Sequence, residues 1–593
     1  MYIDVVPNRQ SPPAVLLRES YREAGRVKKR TLANLSALPL EMVEPMRRLL
    51  RGDDLMPADA AFEIRRSLPH GHVAAVWAQA KTLGLPKLLG PAGPERDVVM
   101  GLIVARVCRP GSKLATTRWW TDTTLAVDLG IADASTDDVY AAMDWLAGRQ
   151  DSIEQRLAER HLTPGGMVLV DLSGSYVEGR HNELAARGYS RDGKKGKAQI
   201  TYGLVTDEAG RPIAVEVFPG NTADPTSFIA TVDKIRERFG LSEVVMVGDR
   251  GMITQARIDD LKELPGAGWV TALRAPAIRK LAQHGAIQLS LFDETDLAEI
   301  TSPDYPGERL VVCRNPALAQ ERARKRRELL QATDTALDKI VAAVTAGRLK
   351  DPAAIGIRVG KVVNRHKMAK HYNLDIDEAA FTYQHRHDNI DAEAALDGIY
   401  VIRTSVTQDR LDSGEVVEAY KRLRLVEAQF RSLKTVDLHL RPIHHRLEDR
   451  VRAHVFICTL AAYLVWHLRR AWAPLCFTDE DPPDHTTHPV AKAERSPQAE
   501  QKASTRLTTN GNPAHSLDTL LGHLATLTRN QGIPPPTARH PRLRDAHPTH
   551  RTPTTSLQPH PRRHPHQTVV DRNNNPQHPR TLTPQRFPQP PTT

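Results

Sequence analysis

The 593-residue chain contains only four cysteines, Cys108, Cys313, Cys458 and Cys476, and none of them forms a CxxC pair. This scarcity excludes a zinc site built on cysteine pairs and a disulfide framework, and it suits a reducing cytoplasm. A secretory leader is not expected, because "MYIDVVPNRQSPP" lacks a basic stretch followed by an apolar one. The longest apolar run, "VFICTLAAYLVW", falls short of the roughly 20 residues that cross a bilayer, so it reads as a buried helix. No G-x4-G-K-[ST] loop is present either. "RDGKKGK" imitates one, and reads instead as a flexible basic loop beside a polyanion.

Positive charge and length are what the chain does have. Lys and Arg number 81 against 70 Asp and Glu, a formal net charge of +11, which points to a polyanionic partner. The length predicts several domains rather than one core. Residues 1–50 read as a small β-containing region, with strands in "AVLLRESYR" and "RTLANLSAL". Residues 51–164 read as helical from apolar residues at three- and four-residue spacing, with Asp137 near the N-cap of a last helix running to 162. From 165 to 274, strands at 167–171, "QITYGLVT" and "IAVEVFPG" are followed by alternating helix and strand, the pattern of a mixed α/β sheet. Residues 275–397 break that rhythm and read as an insertion, including the basic helix "QERARKRRELLQATDTALDKIVAAV". The rhythm resumes over 398–475, and 476–532 reads as a linker with one short helix, "SLDTLLGHLATLTR". The Pro-, His-, Arg- and Thr-rich stretch 533–593 has too little apolar surface to offset its ordering entropy and is expected to be disordered. A shifted reading frame would leave the same composition.

Three acidic positions carry the chemistry. Asp171 in "GMVLVDLSGSY" and Asp249 in "VVMVGDRGM" each end an apolar β-type run, and functional groups gather at the carboxyl ends of strands in open α/β sheets. Glu427 lies in "YKRLRLVEAQFRSLK", where Tyr420, Glu427 and Lys434 recur every seventh residue, about 10.5 Å per step along a helix. Arg424 and Arg431 fall on the same face as Glu427, and Leu423, Val426, Phe430 and Leu433 form the stripe that packs on a sheet. Carboxylates are hard ligands for Mg²⁺, and two such ions about 4 Å apart neutralise a phosphodiester and activate an oxygen nucleophile. The basic neighbours would hold phosphates.

With that spacing the chain resembles the DDE insertion-sequence transposases of the IS-four type, whose signature is Y-x2-R-x3-E-x6-K. Leu423 stands where the signature has arginine, and Arg424 is the better substitute of its two basic neighbours. "SYREAGRVKKRTLANLS", "CRPGSKLATTRWW", "NELAARGYSRDGKKGKAQITYGLV" and "VFPGNTAD" resemble the branch with a long N-terminal region, so the likeness runs over about residues 1–475. It implies an RNase H-like catalytic core with an insertion between the second aspartate and the glutamate. It also implies Asp171, Asp249 and Glu427 as catalytic ligands of two Mg²⁺, replaceable by Mn²⁺. Tyr420, Arg424, Arg431 and Lys434 would contact DNA. Double-stranded DNA, as terminal inverted repeats and target, is the implied partner of a homodimer working in the cytoplasm at the nucleoid. Residues 51–164 are the candidate end-binding region by exclusion, since no helix-turn-helix is convincing there.

Blander readings weigh against several other residues. Asp207 suits a hairpin turn and Asp224 a helix start, and His385, His387 and Asp388 suit a surface loop. A phosphatase of the haloacid dehalogenase type needs an acid where Ser173 stands. A simple nuclease needs neither the N-terminal region nor the insertion. A relic that binds without cutting is disfavoured by three intact carboxylates.

Overall fold

The computed structural model describes residues 1–533 except 10, 54, 56–62, 195, 293–294, 378–379, 484–488 and 492–493. The stretch expected to be disordered lies, from 534 onward, outside the described residues. The chain divides into two units, one holding Met1–Phe62 and the other Glu63–Ile533.

The first unit is an antiparallel sheet of β1 (Tyr2–Val6), β2 (Ala14–Glu23) and β3 (Arg26–Asn34), with a helix at Leu40–Leu50. Ile3, Val15 and Val43 form its small core. Of the basic segment "EAGRVKKR" between the two expected strands, which its composition suggests is a turn, "RVKKR" is strand, because the reversal is made tightly at Ala24 and Gly25, both with positive φ.

The second unit opens with β4 (Glu63–Pro69), a strand inside the region read as helical. Helices follow at Gly71–Thr82, Pro94–Cys108, Lys113–Thr121, Thr136–Ala147 and Gln150–His161. The last two were expected as one helix; the chain breaks around Gly148, and the first is capped by Ser135 in a reciprocal box with Asp138 rather than by Asp137. The chain then builds a sheet from β5 (Met167–Tyr176), β6 (Gln199–Asp207), β7 (Pro212–Pro219), β8 (Val244–Gly248), β9 (Ala267–Ala272), β10 (Leu297–Ile300) and β11 (Arg309–Arg314). A hairpin of β12 (Tyr372–Ile376) and β13 (Phe381–His385) stands apart, β14 (Ile399–Thr404) returns to the sheet, and β15 (Thr528–Ile533) pairs antiparallel with β4.

The large sheet is ordered β10-β11-β14-β9-β8-β5-β6-β7. β5, β6 and β7 are an antiparallel meander, whereas β8 and β9 run parallel to β5. Every residue of β6 and β8 is buried, as expected of strands covered on both faces. The meander and the N-terminal helices share one continuous core with Glu448–Ala471, the 24-residue helix that contains the apolar run. That helix is long and apolar enough to cross a membrane, but 83% of its most apolar window is buried inside the protein. Within 275–397, β10 and β11 extend the sheet because Leu310, Val311, Val312 and Cys313 are apolar on both faces. The helices Pro316–Thr345 and Pro352–Arg365 and the β12–β13 hairpin close on a separate core around Leu337, Ile355 and Phe381.

Candidate active site

β5 and β8 lie side by side and parallel, with Val170 opposite Gly248. The next residue on each strand path is an aspartate, so Asp171 and Asp249 stand abreast, with neighbouring backbones about 4.8 Å apart. Asp249 lies where β8 ends. Its Oδ2 accepts the Gly251 N–H at 3.0 Å and its carbonyl accepts Met252 and Ile253, which turns the chain away and leaves the carboxylate exposed. Asp171 does not end its strand as expected: β5 continues to Tyr176, because the small residues of "LSGSY" pair with β6 and are buried. The aspartate therefore sits partly buried in mid-strand, its Oδ1 accepting the Leu172 N–H at 2.8 Å.

Glu427 comes from a helix at Leu423–Arg431, which packs on β5 through Val426 and Phe430. The expected single helix is in fact two. Ser413–Lys421 carries Tyr420, the chain bends at Arg422, and after Arg431 a π-helical turn at Ser432–Val436 carries Lys434. The seven-residue stripe is thus spread over three segments. Tyr420 hydrogen-bonds the Asp249 carboxylate; burial, then that charge, pushes its hydroxyl up to about 12.

The charges of Asp249 and Glu427 both reach Asp171. Burial first, then the charges of Asp249 and Glu427, hold the Asp171 carboxyl up to about 7, against the opposing pull of the Leu172 N–H and Arg191. An all-carboxylate donor set is the right chemistry for a hard divalent cation. As the side chains stand, however, no three His, Cys, Asp or Glu among the described residues are gathered closely enough to hold a metal ion.

Residues 164–464 match the family described as the transposase DDE domain, over just more than half of the chain. The chain belongs to the DDE transposase family. Residues 3–57 match the N-terminal domain of IS1634 family transposases, which points to a different family from the IS-four one suggested by the helix signature and leaves that finer label without support. No curated protein sequence matches. Among solved structures, a piggyBac transposase synaptic complex with hairpin DNA is 9% identical, covering 74% of this chain and 71% of that one at a TM-score of 0.34. A Mos1 transposase paired-end complex with the left transposon end is 13% identical, covering 42% and 72% at a TM-score of 0.14. Likeness this low carries no argument about the present chain.

In this transposase the four basic and aromatic positions on the Glu427 segment have different fates. Arg424 and Arg431 are exposed on the same helix as Glu427. Lys434 is largely buried and its Nζ lies 2.9 Å from Asp192 Oδ1; burial holds its amine below the ordinary lysine range despite that partner. Asp192 is the residue sequence reasoning missed. It sits in "RDGKKGK", which looked like a free basic loop, yet its side chain is 2% exposed. It accepts the Tyr176 N–H at 3.1 Å and pairs with both Lys434 and Arg441. Lys197 lies 5.0 Å above the Tyr176 ring. The only sequence signal was an acid set among the four basic residues of that motif, which demands a partner when buried.

The other acids behave as turn chemistry requires. Asp207 Oδ1 accepts the N–H groups of Ala209 and Arg211, and a helix starts at Asp224. His385 ends β13 against Asp334 at 3.0 Å, while His387 and Asp388 begin a helix rather than a loop. In the basic helix, Arg324 and Lys325 pair with Glu321, and Arg324 also with Glu328.

Proposed function

We propose that this transposase binds the terminal inverted repeats of an insertion sequence, cuts the DNA there in a divalent-metal-dependent reaction, and joins the freed 3′-OH to target DNA. The observation that carries the proposal is the meeting of three carboxylate charges at Asp171. The meander β5–β6–β7 with β8 and β9 added parallel beside β5 supports an RNase H-like core. Asp171, Asp249 and Glu427 would hold two Mg²⁺, or Mn²⁺ in their place, and the exposed side chains of Asp249 and Glu427 would turn toward Asp171 to do so. Bound there, the metal supplies phosphate neutralisation and an activated oxygen. Tyr420 fixes the orientation of Asp249. Arg424 and Arg431 hold backbone phosphates next to the scissile bond. Lys434 acts with Asp192 and Arg441 as a fixed cationic wall rather than as a free phosphate ligand.

Residues 51–164 remain the proposed end-binding region, and pairing of two element ends calls for a homodimer in the cytoplasm, at the nucleoid. A plasmid carrying the element's own ends tests the proposal. Purified protein with Mg²⁺ or Mn²⁺ should cut at the repeat boundaries, and Glu427→Gln should not. Binding without cutting by the wild type would favour a DNA-binding relic. Cutting without regard to the repeats would favour a nuclease.

A further inference from the structure

Apart from the carboxylates, a cavity of about 790 Å³ opens between the loop before the Lys113–Thr121 helix and the segment 439–447. Arg106, Lys113, Arg441, His445, Arg450 and His454 line it, and no Asp or Glu does. Arg106 and Lys113 are 5% and 6% exposed. Arg106 Nη1 reaches the Leu438 carbonyl at 3.4 Å and Lys113 Nζ reaches His454 Nδ1 at 3.2 Å. Neither has a carboxylate partner among the described residues, whereas Arg450 at the rim pairs with Asp144 and Arg441 with Asp192.

A guanidinium stays charged in any folded protein, and a buried cation without a counter-charge is costly. Structural burial of a cation ordinarily comes with an acid. Here two cations share one wall, and burial, then Arg106, pushes the Lys113 amine down to about 7. Burial and the same two cations also hold His445 down to about 3 and His454 well below its usual value, which keeps both rings neutral.

We infer that this cavity seats a phosphate group of a DNA strand, with Arg106 and Lys113 as its buried cations. A free phosphate ion shares that chemistry. Continuity with the catalytic face favours the strand. His439 and Arg441 also line a second cavity of about 350 Å³, which holds Tyr176, Asp192, Lys194 and Lys434. Arg191, next to Asp192, in turn acts on Asp171. Arg191, Lys194, Lys434 and Arg441, with Asp192 the one acid lining the second cavity, thus lead from the carboxylates toward Arg106 and Lys113, the direction a repeating phosphate backbone would follow. The choice of DNA as the source rests on the function proposed above.

The test uses the full chain in EDTA, where no cutting is asked of it, so its failure is separate from a failure to cleave. Inorganic phosphate should raise the melting temperature of the wild type, and should not raise that of Arg106→Gln or Lys113→Met. The affinity for a duplex carrying the terminal repeat should fall roughly tenfold near 0.1 M salt in each variant, with the log–log salt slope reduced by about 1. Equal phosphate protection of all three proteins overturns the site. Loss of phosphate protection with unchanged DNA affinity and slope means a free-anion site, and overturns the DNA assignment. A measurement on the wild type alone covers variants that fail to fold. The duplex should protect Lys113 from reductive methylation, read by mass spectrometry, and equal labelling with and without duplex overturns the proposal.

Discussion

Two clusters of charge, one buried and one partly exposed, both built on the central sheet, are constructed in opposite ways. At one, Lys234 Nζ lies 2.6 Å from Glu154 and 2.9 Å from Glu216, joining the Gln150–His161 helix to β7. Glu154 also accepts the Val215 N–H at 3.0 Å and Gln150 at 2.9 Å. Its charge is answered on several sides, against a burial that still holds its carboxyl above the ordinary range. At the other, the charges of Asp249 and Glu427 act on Asp171 against the pull of Arg191, and its carboxyl is held up to about 7. A balanced cluster fixes two elements together. An unbalanced one keeps a standing demand for positive charge, which is a functional property obtained at the expense of stability.

The difference predicts that substitutions in the two clusters have opposite consequences. The largest effect is on chemistry: Asp171→Asn should lower metal-dependent cleavage on the order of 10³-fold, since several kcal/mol of charge stabilisation are lost. Lys234→Met should leave the carboxylates in place but lower stability by about 3–5 kcal/mol in urea unfolding, because Glu154 is left buried without its cation, while the partly exposed Glu216 keeps Arg452. Equal loss of stability from both substitutions would break the comparison.

Asp171→Asn should instead stabilise the fold, and the gain should depend on pH. The Asp171 carboxyl titrates about 7 when folded and near 4 when unfolded. The folded state therefore holds the proton more tightly, and wild-type stability falls as pH rises from about 4 to about 7. The advantage of the asparagine variant should grow through that window and level off above it, at no more than about 4 kcal/mol. A pH-independent difference in melting temperature would contradict the assignment. The smallest effect belongs to the exposed bases. Arg424→Gln or Arg431→Gln should each weaken DNA binding by about 1 kcal/mol and reduce the salt slope by about 1, without changing thermal stability.

Much of this was legible before the fold was known. The apolar runs ending near Asp171 and Asp249 marked strands, and the 3.6-residue pattern around Glu427 marked a helix that packs on them. That β5 and β8 are adjacent and in register, which sets the two aspartates abreast, was not legible, because periodicity identifies strands and not their partners. The same limit hid the pairing of β4 with β15 from opposite ends of the unit, and the extension of the sheet by β10 and β11. The bend at Arg422 was invisible because all residues from 413 to 436 tolerate helix. Asp192 was misread with its loop, since a buried acid flanked by lysines and glycines looks, in sequence, like a solvated one. Its partners, Lys434 and Arg441, lie more than two hundred residues away.

The central claim is that Asp171, Asp249 and Glu427 act as one acid cluster with a cation missing from its charge balance. Calorimetric titration of Mn²⁺ into the full chain at pH 7, in two buffers of different ionisation enthalpy, tests it most directly. The account predicts binding that releases about half a proton, from a carboxyl titrating near 7, and at least tenfold weaker binding in Asp171→Asn and Glu427→Gln. Binding of equal strength in the variants, or with no proton released by the wild type, would contradict it.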